Sequence, residues 1–175
     1  MKTKLMALTI VLLTTLVMSG SVQAQKGSSV SFKGVEIAAG HDEAGEAYGW
    51  MCYAKTTGAF PGNFTLTMDY AGIKEPGTES KIIGGSWTLP IYATSKYSLR
   101  PTPLDAYQGV IFGNVESGII TWDKLGTKME LQLNVNGGTQ GFSDYRGTAF
   151  LYGTLSYDEK GNETWDGTIY FQLKY

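Results

Sequence analysis

Strict alternation of apolar and polar residues is the main pattern along this chain. In the run M-E-L-Q-L-N-V-N at positions 129–136, every odd position is apolar and every even position is polar. Because successive side chains of a strand point to opposite sides of its sheet, this run predicts a β-strand with one buried face. Asn136-Gly137-Gly138 readily adopts positive φ, so a turn is predicted there, with the next strand over 148–157.

Similar runs recur along the chain, separated by turns that contain glycine or proline. Strands are predicted at 30–37, 49–55, 63–70, 81–93, 107–115, 118–123, 129–136, 148–157 and 164–175. Gly84-Gly85 predicts a bulge or bend in the fourth of these, and Pro90 suits its end. No convincing helical pattern occurs. The close turn spacing and 23 glycines therefore predict an all-β domain of eight or nine strands, folded as a closed barrel or a tight sandwich.

The first 24 residues have the pattern of a secretory signal peptide. Lys2 and Lys4 precede an apolar run at 5–18, and Val22-Gln23-Ala24 forms a cleavage site of small residues. Cleavage is predicted after Ala24, which leaves one domain over 25–175. The protein is therefore expected to be exported, to the bacterial periplasm or the medium, since the apolar run is short for spanning a membrane.

Charge and composition argue against a nucleic-acid partner and against the common catalytic and cofactor-binding motifs. Removing residues 1–24 removes two lysines and no acidic residue, so the formal charge changes from −2 to −4. A nucleic-acid partner is not expected, because such proteins concentrate Lys and Arg, and the only arginines here are Arg100 and Arg146. No phosphate-binding loop, catalytic triad or paired carboxylates occur, and no cofactor is predicted.

A weak candidate metal site lies in the acidic connection at 39–46. His41, Asp42 and Glu46 are its possible ligands. Calcium loops place carboxylates at alternate positions around a glycine, and zinc sites need more His or Cys at defined spacing. A solvated loop is the favoured interpretation, and no metal is predicted.

Two other segments carry specific expectations. Cys52 lies between Met51 and Tyr53 in a predicted strand, so a small buried apolar role is expected rather than a reactive thiol. Residues 94–106 contain two prolines and no periodicity. They are expected to form the longest loop, which could act as a lid across one end of the fold.

A family resemblance is carried by residues 133–155, L-N-V-N-G-G-T-Q-G-F-S-D-Y-R-G-T-A-F-L-Y-G-T-L. Its Gly137, Gly138, Thr139, Phe142 and Gly147 match the G-G-T-G-x-F-x-x-A-x-G segment of proteins with the allene oxide cyclase and dirigent type of barrel. Gln140 stands where that family usually has glycine, and Tyr145 replaces a small residue. The segment most resembles secreted bacterial relatives of unassigned function. The resemblance implies a closed, calycin-like antiparallel barrel of eight strands with a central cavity, and it carries over no catalytic residue.

Several functions remain open on these observations. A soluble barrel could bind a small apolar or aromatic molecule among inward-facing aromatic residues, with Trp50, Trp87 and Trp122 as candidate contacts. Eight strands often leave an interior that side chains fill, so a purely structural, non-enzymatic protein is the second possibility. A small outer-membrane barrel is an alternative, because positions 169, 171, 173 and 175 are apolar or aromatic. A cyclase or isomerase would rest on fold analogy alone.

Overall fold

The structure is a computed structural model that describes residues 26–41, 47–72, 75–92, 107–123, 126–157 and 163–174. These ranges contain eight strands and one short 3-10 helix, η1 (Gln140–Phe142). The strands are β1 (Lys26–His41), β2 (Ala47–Gly58), β3 (Gly62–Ala71), β4 (Glu79–Tyr92), β5 (Tyr107–Thr121), β6 (Thr127–Gly138), β7 (Arg146–Tyr157) and β8 (Glu163–Lys174). The predicted signal peptide lies outside the described residues, as does the loop predicted at 94–106.

The eight strands form one closed barrel. Each strand pairs antiparallel with the next along the chain, and β1 pairs with β8 through the register Lys26↔Leu173 to Val35↔Thr164. Closure leaves no strand with an unpaired edge, which removes the usual site of unwanted strand addition. The prediction of an all-β, closed antiparallel barrel of about eight strands is confirmed.

Three predicted breaks in strands were wrong because bulges let the strand continue. Residues 107–115 and 118–123 were expected to be two strands, but residues 107–121 form the single strand β5, which bulges at Glu116. Gly137 and Gly138 were expected to lie in a turn, but both still pair with β5. The loop predicted from position 39 begins later, since β1 runs on to His41 and its last residues pair with β2.

The bulge predicted at Gly84-Gly85 is confirmed. The β3–β4 register passes from Asp69↔Gly84 to Tyr70↔Ile82, so Ile83 is the additional residue on β4. Pro90 lies two positions before the last residue of β4, as expected for a residue without a backbone N–H.

Alternation along each strand separates a filled interior from a mostly polar exterior. The inward positions of β6 are buried, and the side chains between them are exposed or partly exposed. Buried residues of all eight strands meet in one apolar cluster, which includes Phe64, Trp87, Trp165 and Phe171. Burial of these side chains is the main force that holds the strands in a closed cylinder.

One end of the barrel is closed by aromatic rings. Phe60, in the turn between β2 and β3, lies 5.3 Å from Phe171 and 6.3 Å from Phe142 of η1, measured between ring centroids. Tyr145 packs edge-on against Phe142 at 5.1 Å. Edge-to-face contacts at these distances add to the burial energy of the rings. They also fill the end of the barrel at which β4 ends and β5 begins.

Candidate functional site

The centre of the barrel contains a continuous aromatic cluster. Trp165 lies 4.4 Å from Phe32, 5.5 Å from Trp50 and 6.3 Å from Phe64, measured between ring centroids. Phe64 in turn lies 6.0 Å from Trp87. These rings come from five different strands, so the contacts join opposite walls of the barrel through its interior.

The three tryptophans predicted as ligand contacts do not form one site. Trp50 and Trp87 belong to the aromatic cluster and are 6% and 1% exposed. Trp122 follows β5 at the end of the barrel opposite Phe142. It packs on Tyr70 at a centroid distance of 5.8 Å and is 7% exposed. All three are interior side chains that pack against protein.

The buried tryptophans Trp87, Trp122 and Trp165 differ in the hydrogen-bond partners of their indole N–H groups. Trp87 donates to the backbone oxygen of Asn134 at 3.1 Å, and Trp122 donates to the Ser80 hydroxyl at 2.8 Å. The Nε1 of Trp165 is buried and has no hydrogen-bond partner among the described residues. Buried donors are seldom left without an acceptor. Among the described residues, Trp165 is therefore the interior residue whose N–H could still donate a hydrogen bond to a ligand. Nothing in the sequence distinguishes it from the other tryptophans, because the difference lies in what faces each N–H.

The weak metal candidate gains no support. His41 is the last residue of β1, while Asp42 and Glu46 lie outside the described residues. Within the described ranges, no group of three His, Cys, Asp or Glu side chains could hold a metal ion.

The prediction that Cys52 is buried is confirmed. The residue is 0% exposed, and its sulfur lies 3.8 Å from the Leu66 backbone oxygen.

The outer surface carries two adjoining depressions, together called here the Tyr152 groove. The larger has a volume of about 420 Å³, and the smaller about 220 Å³. Glu130 and Tyr152 border both. Their other polar or large apolar side chains include Lys81, Ile119, Gln132 and Phe150 in the larger, and Lys128 and Asp166 in the smaller.

The backbone pairing between β4 and β5 is interrupted beside the larger depression. The two strands pair at Lys81↔Ile119 and again at Ser86↔Asn114, but not at the positions between. The bulges at Ile83 and Glu116 both fall in this interval. None of the residues that line this groove was predicted from the sequence to bind a ligand. The available signal was Phe150 and Tyr152, two large aromatic residues at outward positions of β7.

In the described part of the chain, no helical segment has the length and hydropathy that a membrane-spanning helix requires.

Comparison with models of protein families, with curated proteins and with solved structures gives no match to this chain. The resemblance to the allene oxide cyclase and dirigent type of barrel therefore stays a prediction.

Proposed function

We propose that this protein is an exported, non-enzymatic β-barrel that acts as a rigid structural unit, with its interior serving as a packed core. The observation that carries this proposal is the aromatic cluster that joins opposite walls through Trp165, Phe64 and Trp87. An eight-stranded barrel is narrow enough for side chains to fill, and these side chains are almost fully buried. Interaction with other molecules then takes place on the outer surface.

The outward residues support placement of this barrel in water. The outward positions of β3 are Asn63, Thr65, Thr67 and Asp69, and those of β6 between positions 128 and 136 are charged or amide residues. Outer-membrane barrels have the opposite arrangement, with an apolar band facing lipid and a polar interior. Recovery in the soluble periplasmic or medium fraction is expected. Retention in the membrane through high-salt and alkaline washes would favour the outer-membrane alternative.

An apolar probe tests whether the interior is packed. Benzene binds engineered apolar cavities in proteins, and a bound ligand raises stability by RT ln(1 + [L]/Kd). We expect saturating benzene to leave the melting temperature of the native protein unchanged. The variant Trp87→Ala has a cavity in place of the indole, so it should gain a benzene-dependent rise and show that the assay detects interior binding. A comparable rise in the unmodified protein would contradict the packed-core proposal.

The alternative is an internal ligand, and the Trp165 N–H is the observation that favours it. An apolar molecule with one hydrogen-bond acceptor could bind beside Trp50 and satisfy this donor. Cyclohexanone and methylcyclohexane are similar in size, but only cyclohexanone carries an acceptor. If the alternative holds, cyclohexanone alone shifts the indole ¹⁵N–¹H resonance of Trp165 and leaves that of Trp87 in place. No shift with either compound leaves the packed core as the better account.

A further inference from the structure

The Tyr152 groove brings exposed aromatic and aliphatic side chains together at one place on the outer face. Tyr152 is 48% exposed and Ile119 is 42% exposed. Tyr170, on the neighbouring strand, is 50% exposed and packs edge-on against Tyr152 at a centroid distance of 6.0 Å. Single exposed apolar residues are common, but a contiguous group around a depression is typical of a binding surface.

Polar and apolar groups alternate across the strands of this groove. Ile119 of β5 pairs with Glu130 of β6, and Glu130 pairs with Tyr152 of β7. Neighbouring strands lie about 4.8 Å apart, so a carboxylate lies between an aliphatic and an aromatic side chain at that spacing. In the adjacent row, Gln132 pairs with Phe150. The groove thus presents apolar surfaces and hydrogen-bonding groups side by side.

The charges of the groove argue against an ionic ligand. Lys81 and Glu130 border the larger depression, while Lys128, Glu130 and Asp166 border the smaller. An anion or a cation would meet charges of both signs in each depression. A wholly apolar ligand would remove these charged groups from water without offering them hydrogen bonds, which is unfavourable.

A neutral molecule with apolar faces and a rim of hydroxyl groups satisfies both requirements, and this is the chemistry of a sugar ring. The groove is open to solvent and continues on both sides of Tyr152, which suits a chain of sugar units better than a compact molecule. We propose that the Tyr152 groove binds a neutral oligosaccharide or polysaccharide chain. This inference goes beyond the structural function proposed above and does not depend on whether the interior binds a ligand.

Each contributing residue has a distinct role in this proposal. Tyr152 supplies the surface for the C–H face of a sugar, since its ring is rigid and loses little conformational entropy on binding. Glu130 accepts hydrogen bonds from sugar hydroxyls on either side of that ring. The side-chain N–H of Gln132 donates to Glu116 at 2.7 Å, which holds the amide in place at the rim.

The test is native gel electrophoresis of the full protein through gels that contain one soluble polymer each. Suitable neutral polymers are laminarin, hydroxyethylcellulose, xylan, galactomannan and dextran, with dextran sulfate as the charged comparison. We expect at least one neutral polymer to slow migration. Tyr152→Ala should weaken that retardation at least tenfold. The matched control is Tyr157→Ala, because Tyr157 is 68% exposed on the same strand but lies outside the groove.

A second variant keeps the test valid if Tyr152→Ala changes the fold. Glu130→Ala should also reduce retardation, while Glu130→Gln, which keeps a hydrogen-bonding side chain, should retain part of it. The proposal is overturned if no neutral polymer slows the protein, or if only dextran sulfate does. Equal retardation of the native protein and both Tyr152→Ala and Glu130→Ala also overturns it. The benzene assay of the interior is independent of all these outcomes.

Discussion

Replacing Phe64 by alanine tests whether the barrel interior is a packed core. Phe64 is 0% exposed, and its ring lies 6.0 to 6.3 Å from those of Phe32, Trp87 and Trp165. Removing a buried phenylalanine side chain loses the free energy of its transfer from water and leaves a cavity, at a total cost of about 3–5 kcal/mol. For a domain of this size, we expect the melting temperature to fall by roughly 10 °C.

Phe112→Ala is the matched control for this substitution. Phe112 lies on the outward side of β5 and is 38% exposed, so its removal should cost below about 1 kcal/mol. Both variants replace phenylalanine by alanine within a strand, which largely cancels differences in intrinsic strand propensity. The difference between their free energies of unfolding therefore reports mainly the burial of Phe64.

The assay is urea denaturation followed by tryptophan fluorescence and, separately, by far-UV circular dichroism. Coincident transitions would justify two-state analysis, and an unchanged m-value would show that the change reflects stability rather than compactness. A cost for Phe64→Ala below about 1 kcal/mol, equal to that of Phe112→Ala, would refute the packed-core reasoning. It would mean that the interior rings contribute little to stability and that space or mobility exists around them.

Three further predictions concern the backbone and the buried thiol. Gly147→Ala should lower the free energy of unfolding by about 1–3 kcal/mol, because φ is +142° and a Cβ would clash with the Gln172 backbone oxygen. The control is Gly141→Ala, which should be near neutral in the same urea assay because nothing lies within 4 Å of the added Cβ. Equal effects of the two substitutions on the free energy of unfolding would contradict this account. Gln140→Gly should stabilise by up to about 1 kcal/mol, since Gln140 has φ +54° in the left-handed region; a loss of stability measured by thermal unfolding would count against it. Cys52 should react with Ellman's reagent only after unfolding in urea; rapid stoichiometric labelling of the native protein would show that the thiol is accessible.

Local pattern in the sequence was sufficient to predict strands and the direction of their side chains. The alternation at 129–136 corresponds to β6, whose apolar residues face the interior. It succeeds because side-chain direction in a strand depends only on position along the chain. The glycine pattern noted in the 133–155 segment also has a local reason at three positions. Gly137, Gln140 and Gly147 all adopt positive φ, a conformation that glycine adopts at least cost.

Pairing and register were decided only by the tertiary structure. β1 and β8 are separated by most of the chain, and nothing local in either strand specifies that they pair. The continuity of β5 through Glu116 was missed for the same reason, because a bulge is defined by what the neighbouring strand does. The interrupted pairing between β4 and β5 beside the Tyr152 groove likewise depends on long-range register.

The sequence by itself determined an all-β chain with alternating faces, a buried Cys52 and a set of large aromatic residues. It could not determine which tryptophan N–H would meet an acceptor. Trp87 reaches a backbone oxygen 47 positions along the chain, and Trp165 reaches none among the described residues. The physical reason is that alternation depends on neighbours in sequence, whereas hydrogen-bond partners and surface grooves depend on which strands closure brings together.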